Sequence, residues 1–138
     1  RTAALRARLL TGATSFAEGY ALCVVGPCVV LIAEDMALGG AQIGWFQGIG
    51  YLIMPVSMIL AGPIADEIGR VPTVGLSYAV LIAGAALMAS APGYPQLLIG
   101  RIVEALGMGL GFGAITVYMP EVSAKASRGG FCSMEEGF

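Results

Sequence analysis

The stretch Gly62-Pro63-Ile64-Ala65-Asp66-Glu67-Ile68-Gly69-Arg70-Val71 has a charged centre between two long runs without formal charge, residues 36–65 and 71–100. A bilayer's hydrocarbon core is about 30 Å thick and needs about 20 apolar helical residues to cross it. Each run exceeds that length, and proline and glycine favour a turn between them. The pattern predicts two membrane-spanning helices joined by a tight polar turn at the membrane surface.

The composition of the whole chain agrees with a membrane protein. Apolar residues make up 57% and charged residues 12%, against roughly 25% charged in soluble domains. The net charge of −2 and the lack of a basic cluster argue against nucleic acid as a partner. The apolar composition instead makes the lipid bilayer the expected partner. There is no histidine, and Cys23, Cys28 and Cys132 lack metal-site spacing. We therefore expect no metal, no cofactor and no enzymatic activity.

Hydropathy predicts an all-α membrane fold with four crossings and the start of a fifth. The crossings are expected at residues 11–33, 42–65, 73–91 and 96–119, and a fifth helix is expected to begin near residue 129. The chain opens on Arg1 and stops in a segment that is turning apolar. We interpret it as a fragment of a longer protein.

The basic residues predict how the chain is oriented in the membrane. Successive loops lie on alternating sides of the membrane. The loops on one side, around residues 34–41 and 91–96, contain no basic residue. The segments on the other side contain all the basic residues outside the crossings, Arg1, Arg6, Arg8, Arg70, Lys125 and Arg128. By the positive-inside rule, the N-terminus and the Asp66 turn are cytoplasmic, although the sequence does not say in which membrane.

Three ionisable residues, Glu18, Arg101 and Glu104, fall inside predicted crossings. Each costs at least about 2.5 kcal/mol at a helix centre exposed to lipid, so such residues usually face a partner or a polar path. Arg101 and Glu104 are one helical turn apart, and one interpretation is that they only neutralise each other. The other is that they line a polar cavity with Glu18, where a carboxylate gains and loses a proton during transport.

The glycines of the fourth crossing predict close helix packing. Gly109 and Gly113 share a helical face with Ala105, whereas Gly107 and Gly111 lie nearly opposite. A nucleotide-binding loop is excluded because no strand precedes these glycines and no helix begins after them. We expect neighbouring helices on two sides of the fourth crossing.

Two motifs carry a resemblance to a known family. The first reads Gly100-Arg101, Gly107, Gly109, Tyr118, Glu121, Arg128 and Gly129, with Ala105 in place of one glycine of the pattern; the second reads Gly62, Asp66, Gly69 and Arg70. With them the chain resembles the N-terminal part of the major facilitator superfamily and, within it, the sugar porters. Residues 128–138 look like the fifth-helix start of plant polyol and monosaccharide transporters.

The resemblance implies a twelve-helix transporter in two six-helix halves, of which residues 1–138 are part of the first. It implies alternating-access transport of a sugar or polyol, with proton symport as the leading interpretation. Arg101 matches a fourth-helix arginine that faces a first-helix aspartate in proton-coupled members. That aspartate is replaced by Ala21 here, which makes Glu18 a candidate substitute and puts conventional coupling in question. Glu136 matches a sugar-binding position.

The resemblance also assigns a cytoplasmic gating motif that latches the halves together. Its members are Gly62, Asp66, Gly69, Arg70, Glu121 and Arg128. Glu67 and Val71 stand where the family usually has basic residues, which predicts a weaker or rewired latch. The alternatives are a uniporter, a carrier of another small solute, a truncated copy that only assembles with other membrane proteins, or a non-transporting sensor on the same fold.

Overall fold

Four long α-helices make up the part of the chain that the computed structural model describes, which is the backbone of residues 2–122 and the side chains of residues 9 and 12–118. They are α1 (Thr2–Asp35), α2 (Gly40–Ile68), α3 (Arg70–Ala89) and α4 (Tyr94–Val122). Each is long and apolar enough to cross a membrane, over Gly12–Asp35, Gly40–Ile68, Arg70–Ala89 and Tyr94–Tyr118. The prediction of an all-α membrane fold is confirmed, and the expected fifth helix lies outside the described residues.

The helix ends differ from the predicted crossings by two or three residues, except at the start of α1, where the difference is larger. α1 begins at Thr2, so Arg6 and Arg8 belong to the helix. The predicted turn over residues 62–71 narrows to Gly69, because α2 continues past Pro63 to Ile68 and α3 begins at Arg70.

Gly69 makes so short a connection possible. Its φ is +101°, a backbone conformation that glycine adopts readily but that residues with a Cβ atom disfavour. Its backbone N–H still donates to the Ala65 carbonyl at 3.1 Å, and its carbonyl accepts from Thr73 Oγ1 at 2.7 Å. The N–H and the carbonyl of Gly69 are therefore both hydrogen-bonded, one to each of the two helices that it joins.

α4 is the central helix of the described part. In the membrane-spanning part of α4, 61% of the residues are buried, whereas in that of α1 only 11% are. A Cβ added at Gly109 or Gly113 would meet α2 at Ser57 or Ala61, whereas one added at Gly107 would meet α3 at Leu81. The expected neighbours on two sides of α4 are confirmed, and this packing places Arg101 and Glu104 in the interior.

Apolar side chains are arranged as a lipid-facing bundle requires. Val29, Phe46 and Leu97 form a buried cluster where α1, α2 and α4 approach one another. Large side chains such as Trp45 and Ile59 on α2 and Ile82 on α3 point outward. Small buried residues such as Ser57 and Ala61 lie where α2 meets α4, and they let the two helix backbones approach closely.

Candidate functional site

The first element of the site is an ion pair on α4. Arg101 Nη1 lies 2.5 Å from Glu104 Oε2, and the two side chains are 3% and 7% exposed. Their separation of three residues puts them on one face of the helix. The predicted local pairing of Arg101 and Glu104 is confirmed, and the structure adds that the pair is buried.

Close packing against α3 holds Glu104 in place. A Cβ added at Gly84 would lie 2.5 Å from the Glu104 backbone nitrogen, so only a glycine allows this approach. Glu104 lines a cavity of about 720 Å³, whose wall also includes Tyr20 and Ala21 from α1 and Leu81 from α3. The buried ion pair thus borders an otherwise largely apolar cavity between α1 and α3.

Glu18 lies at a different level of the bundle. A Cβ added at Gly111 would be 2.6 Å from Glu18 Oε1 and 2.9 Å from Ser77 Oγ, so α1, α3 and α4 meet there. Gly111 follows Arg101 by ten residues, which is about 15 Å along a helix axis.

The two carboxylates also line different cavities. Glu18 lines a smaller one of about 240 Å³ with Met54 from α2 and Met108 and Phe112 from α4. Among the described residues, Glu18 and Glu104 therefore line separate cavities, which differs from the interpretation that they share one polar cavity with Arg101. Glu18 reaches α4 at Gly111, whose missing side chain leaves room for its carboxylate. A coupling role for Glu18 stays a prediction.

Position 21 shows how the site differs from the resembling family. Ala21 lines the same cavity as Glu104 and carries no charge. The carboxylate that pairs with Arg101 comes from α4 itself. Arg101 thus pairs with a carboxylate of its own helix, at a position for which the resemblance implied a facing carboxylate on the first helix.

The predicted gating motif lies partly in the described region. Arg70 Nη1 is 2.6 Å from Asp66 Oδ1, and these side chains are 20% and 66% exposed. Gly62 lies inside α2 with nothing within 4 Å of an added Cβ, while Gly69 forms the turn. Glu67 is exposed. The backbone of Glu121 belongs to α4, but its side chain lies outside the described part, as do Arg128 and Glu136.

Sequence reasoning missed several residues that shape the site. Gly50 and Phe46 of α2 contact Arg101, and Ser57 Oγ of α2 donates to the Leu106 carbonyl of α4 at 2.6 Å. The i, i+4 spacing of Phe46 and Gly50 was the available signal, but it does not say which helix they face. Among the described side chains, those of residues 9 and 12–118, no three His, Cys, Asp or Glu residues are grouped as a metal site requires.

Known proteins with similar sequences are membrane transporters. Polyol transporter 5 from Arabidopsis thaliana is 34% identical over 130 residues, which are 94% of this chain and 24% of that protein. The plastidic glucose transporter 4 of the same plant is 28% identical over 122 residues, covering 87% of this chain and 22% of the relative. A citrate-proton symporter from Salmonella typhi is 29% identical over 96 residues, covering 64% and 22%.

The chain thus spans about a quarter of the length of the curated relatives it matches. No solved structure matches it at a significant level. The names of the relatives agree with the sugar-porter resemblance and with the expectation of a protein that is not an enzyme. The family model for the Major Facilitator Superfamily matches residues 9–134. The chain therefore belongs to the major facilitator superfamily, as an integral, multi-pass membrane protein.

Proposed function

We propose that the protein is a secondary active transporter that moves a sugar or polyol across a membrane by alternating access, coupled to protons. The superfamily and the relatives named as polyol and glucose transporters support transport of such a solute. The expected partners are the small-molecule substrate, protons and the lipid bilayer. Glu136, beyond the described residues, is the candidate for binding substrate hydroxyl groups, because a carboxylate can accept several hydrogen bonds.

The buried Arg101–Glu104 pair carries the coupling part of this proposal. Two charges in a membrane-spanning helix are costly and are usually retained where an ion or proton is handled. Glu104 lines a cavity, and this cavity is the proposed route by which a proton reaches and leaves its carboxylate.

Glu18 is the second candidate for coupling. It is a buried carboxylate in a membrane-spanning helix, beside the Ser77 hydroxyl and its own cavity. Two separated carboxylates give two testable positions for a coupled proton. If neither matters, the protein is a uniporter on the same fold. The similarity to a citrate-proton symporter keeps a carrier of another small solute as the second alternative.

We further propose that the N-terminus and the turn at Gly69 face the cytoplasm. Arg6, Arg8 and Arg70 lie on this side, in agreement with the positive-inside rule. In the full-length protein, Asp66 and Arg70 would belong to a charge network with Glu121 and Arg128. Such a network favours the outward-open state when it is formed and is released when the cytoplasmic side opens.

Uptake measurements test this function. Vesicles containing the full-length protein should take up a labelled polyol or sugar with saturation, and an inward proton gradient should drive accumulation. No saturable uptake across a panel of polyols and sugars would contradict the proposed substrate class. Uptake that ignores the gradient would leave a uniporter.

The matched variants Glu18→Gln and Glu104→Gln then separate the two candidate positions. Each replaces a carboxylate by an amide of the same shape, which cannot exchange a proton. Loss of gradient-driven accumulation in only one variant assigns coupling to that position. Unchanged accumulation in Glu18→Gln would remove Glu18 from the coupling role.

A further inference from the structure

The guanidinium of Arg101 lies directly against α2 at Gly50. A Cβ added at Gly50 would be 2.8 Å from Nη2 and 2.9 Å from Nε of Arg101, closer than real Cβ contacts. Gly44 and Gly48 on the same helix have nothing within 4 Å of an added Cβ. The guanidinium thus occupies the space that the missing side chain of Gly50 leaves, and other nearby glycines of α2 do not share this role.

Phe46, one turn before Gly50, contacts the same group. Its ring centroid is 5.8 Å from Arg101 Cζ, a distance at which a cation is attracted to an aromatic face. Phe46 is 3% exposed and packs with Val29 and Leu97, which fix the position of the ring. Phe46 and Gly50 therefore form one surface of α2 against which the guanidinium rests.

The ion pair alone does not fix the orientation of Arg101. Glu104 accepts a hydrogen bond from Nη1. Nε is buried and has no hydrogen-bond partner among the described residues. The pair therefore does not use the two-pronged geometry through which a carboxylate usually orients a guanidinium. Contacts from α2 must supply the remaining restraint.

We propose that Gly50 and Phe46 are positioning residues that hold the Arg101 guanidinium beside Glu104. Gly50 does so by leaving room for the group, and Phe46 by attracting it. The positioning itself does not depend on the proposed function, but its effect on transport does. According to this inference, α2 determines where the Arg101 guanidinium of α4 lies.

Transport kinetics of Gly50→Ala test that consequence in the full-length protein. The added methyl group pushes aside the end of a flexible side chain and leaves the helix backbones where they are. We expect the maximal uptake rate to fall about tenfold, the size of misplacing one charged hydrogen bond, with KM changed less than about twofold. The matched control Gly48→Ala should stay near the wild-type rate. Equal rates for the two variants would overturn the transport consequence.

A stability cycle tests the positioning without any substrate. The thermal unfolding midpoint of the purified full-length protein is compared for Gly50→Ala with Arg101 present and in an Arg101→Gln background. Glutamine is shorter than arginine and carries no charge, so Gly50→Ala should lower the midpoint only when Arg101 is present. Equal lowering in both backgrounds would assign the effect to helix packing and overturn the proposal.

Phe46→Leu provides the second arm of the same cycle. Leucine keeps an apolar side chain in the Val29 and Leu97 cluster but removes the aromatic face. Its effect on the midpoint should be larger with Arg101 than with Arg101→Gln, and an equal effect would remove Phe46 from the positioning role. If the wild-type protein transports no sugar or polyol, the proposed function fails while both cycles still decide the positioning.

Discussion

Two ion pairs of similar geometry lie in opposite surroundings in this molecule. The N–O distance is 2.6 Å for Arg70–Asp66 and 2.5 Å for Arg101–Glu104. Asp66 is 66% exposed, whereas both members of the α4 pair are under 10% exposed. The contact distance is therefore a poor guide to how much an ion pair contributes to the free energy of unfolding. That contribution depends on the surroundings, because burial removes the water that would otherwise solvate each charge.

The difference in burial assigns the two pairs different roles. An exposed pair stabilises a fold by about 0–1 kcal/mol, and salt screens it. Removing one member of a buried pair costs about 3–5 kcal/mol, because the other charge is left without a partner. Under the proposed function, the interior pair would be the one that handles a proton, because its surroundings hold it in place. The surface pair would be the one that forms and breaks as the proposed cytoplasmic side opens and closes.

Leaving Arg101 without its partner should have the largest effect. Glu104→Leu removes the carboxylate, and we expect the full-length protein to lose about 3 kcal/mol or more of unfolding free energy. The double variant Arg101→Met, Glu104→Leu should recover much of the loss, because no buried charge then remains. Denaturant or thermal unfolding in detergent measures both. A Glu104→Leu effect no larger than that of the exposed control Glu67→Leu would contradict the burial of the pair.

Filling the space behind Glu104 should have the next largest effect. Gly84→Ala places a methyl group 2.5 Å from the Glu104 backbone nitrogen, and overpacking of this kind costs about 1–3 kcal/mol. Gly75→Ala on the same helix is the matched control, because nothing lies within 4 Å of its added Cβ. Unfolding midpoints compare the two. Similar midpoints would mean that α3 and α4 are not in close contact at this level.

Breaking the surface pair should matter much less. Asp66→Asn removes the carboxylate charge, and we expect a loss of at most about 1 kcal/mol at low salt. The loss should disappear in about 1 M salt, where the screening length falls to about 3 Å. Unfolding measured at both salt concentrations checks this. A loss that persists in high salt would show that the Asp66 turn is buried in the full-length protein.

Reversing the charge of Glu67 should have the smallest effect on stability, within about 0.5 kcal/mol, because the residue is exposed. It adds a positive charge beside Asp66 and Arg70 and should strengthen the cytoplasmic latch. The labelling rate of a cysteine introduced at the exposed Val71 by a membrane-impermeant thiol reagent should therefore fall in Glu67→Arg, in a background without the native cysteines. An unchanged labelling rate would make Glu67 a solvated bystander.

Much of the fold was predictable because it depends on local properties of the chain. Two charge-free runs around Asp66 predict two crossings, and three residues of separation predict the Arg101–Glu104 contact. The turn at Gly69 is shorter than the sequence predicts, because α2 continues to Ile68 and α3 begins at Arg70. Pro63 lies inside α2. Its missing N–H and fixed φ do not stop a helix whose neighbours pack against it.

The arrangement of the site was less predictable because it depends on where helices approach one another. Glu18 and Arg101 are both ionisable residues in predicted crossings. Their sequence positions do not say how α1 and α4 are positioned relative to each other along the bundle. Gly111 sets that level by admitting Glu18, and Gly50 sets the position of Arg101 in the same way. A glycine in the sequence indicates close packing without naming the neighbour.

Gradient-driven accumulation by the Glu104→Gln variant tests the central claim most directly. Glutamine keeps an oxygen that can accept a hydrogen bond from Arg101, so the full-length variant should still fold and exchange labelled substrate at a measurable rate. We predict that an inward proton gradient no longer drives accumulation above the external concentration. Accumulation equal to that of the wild-type protein would contradict a coupling role for the buried pair.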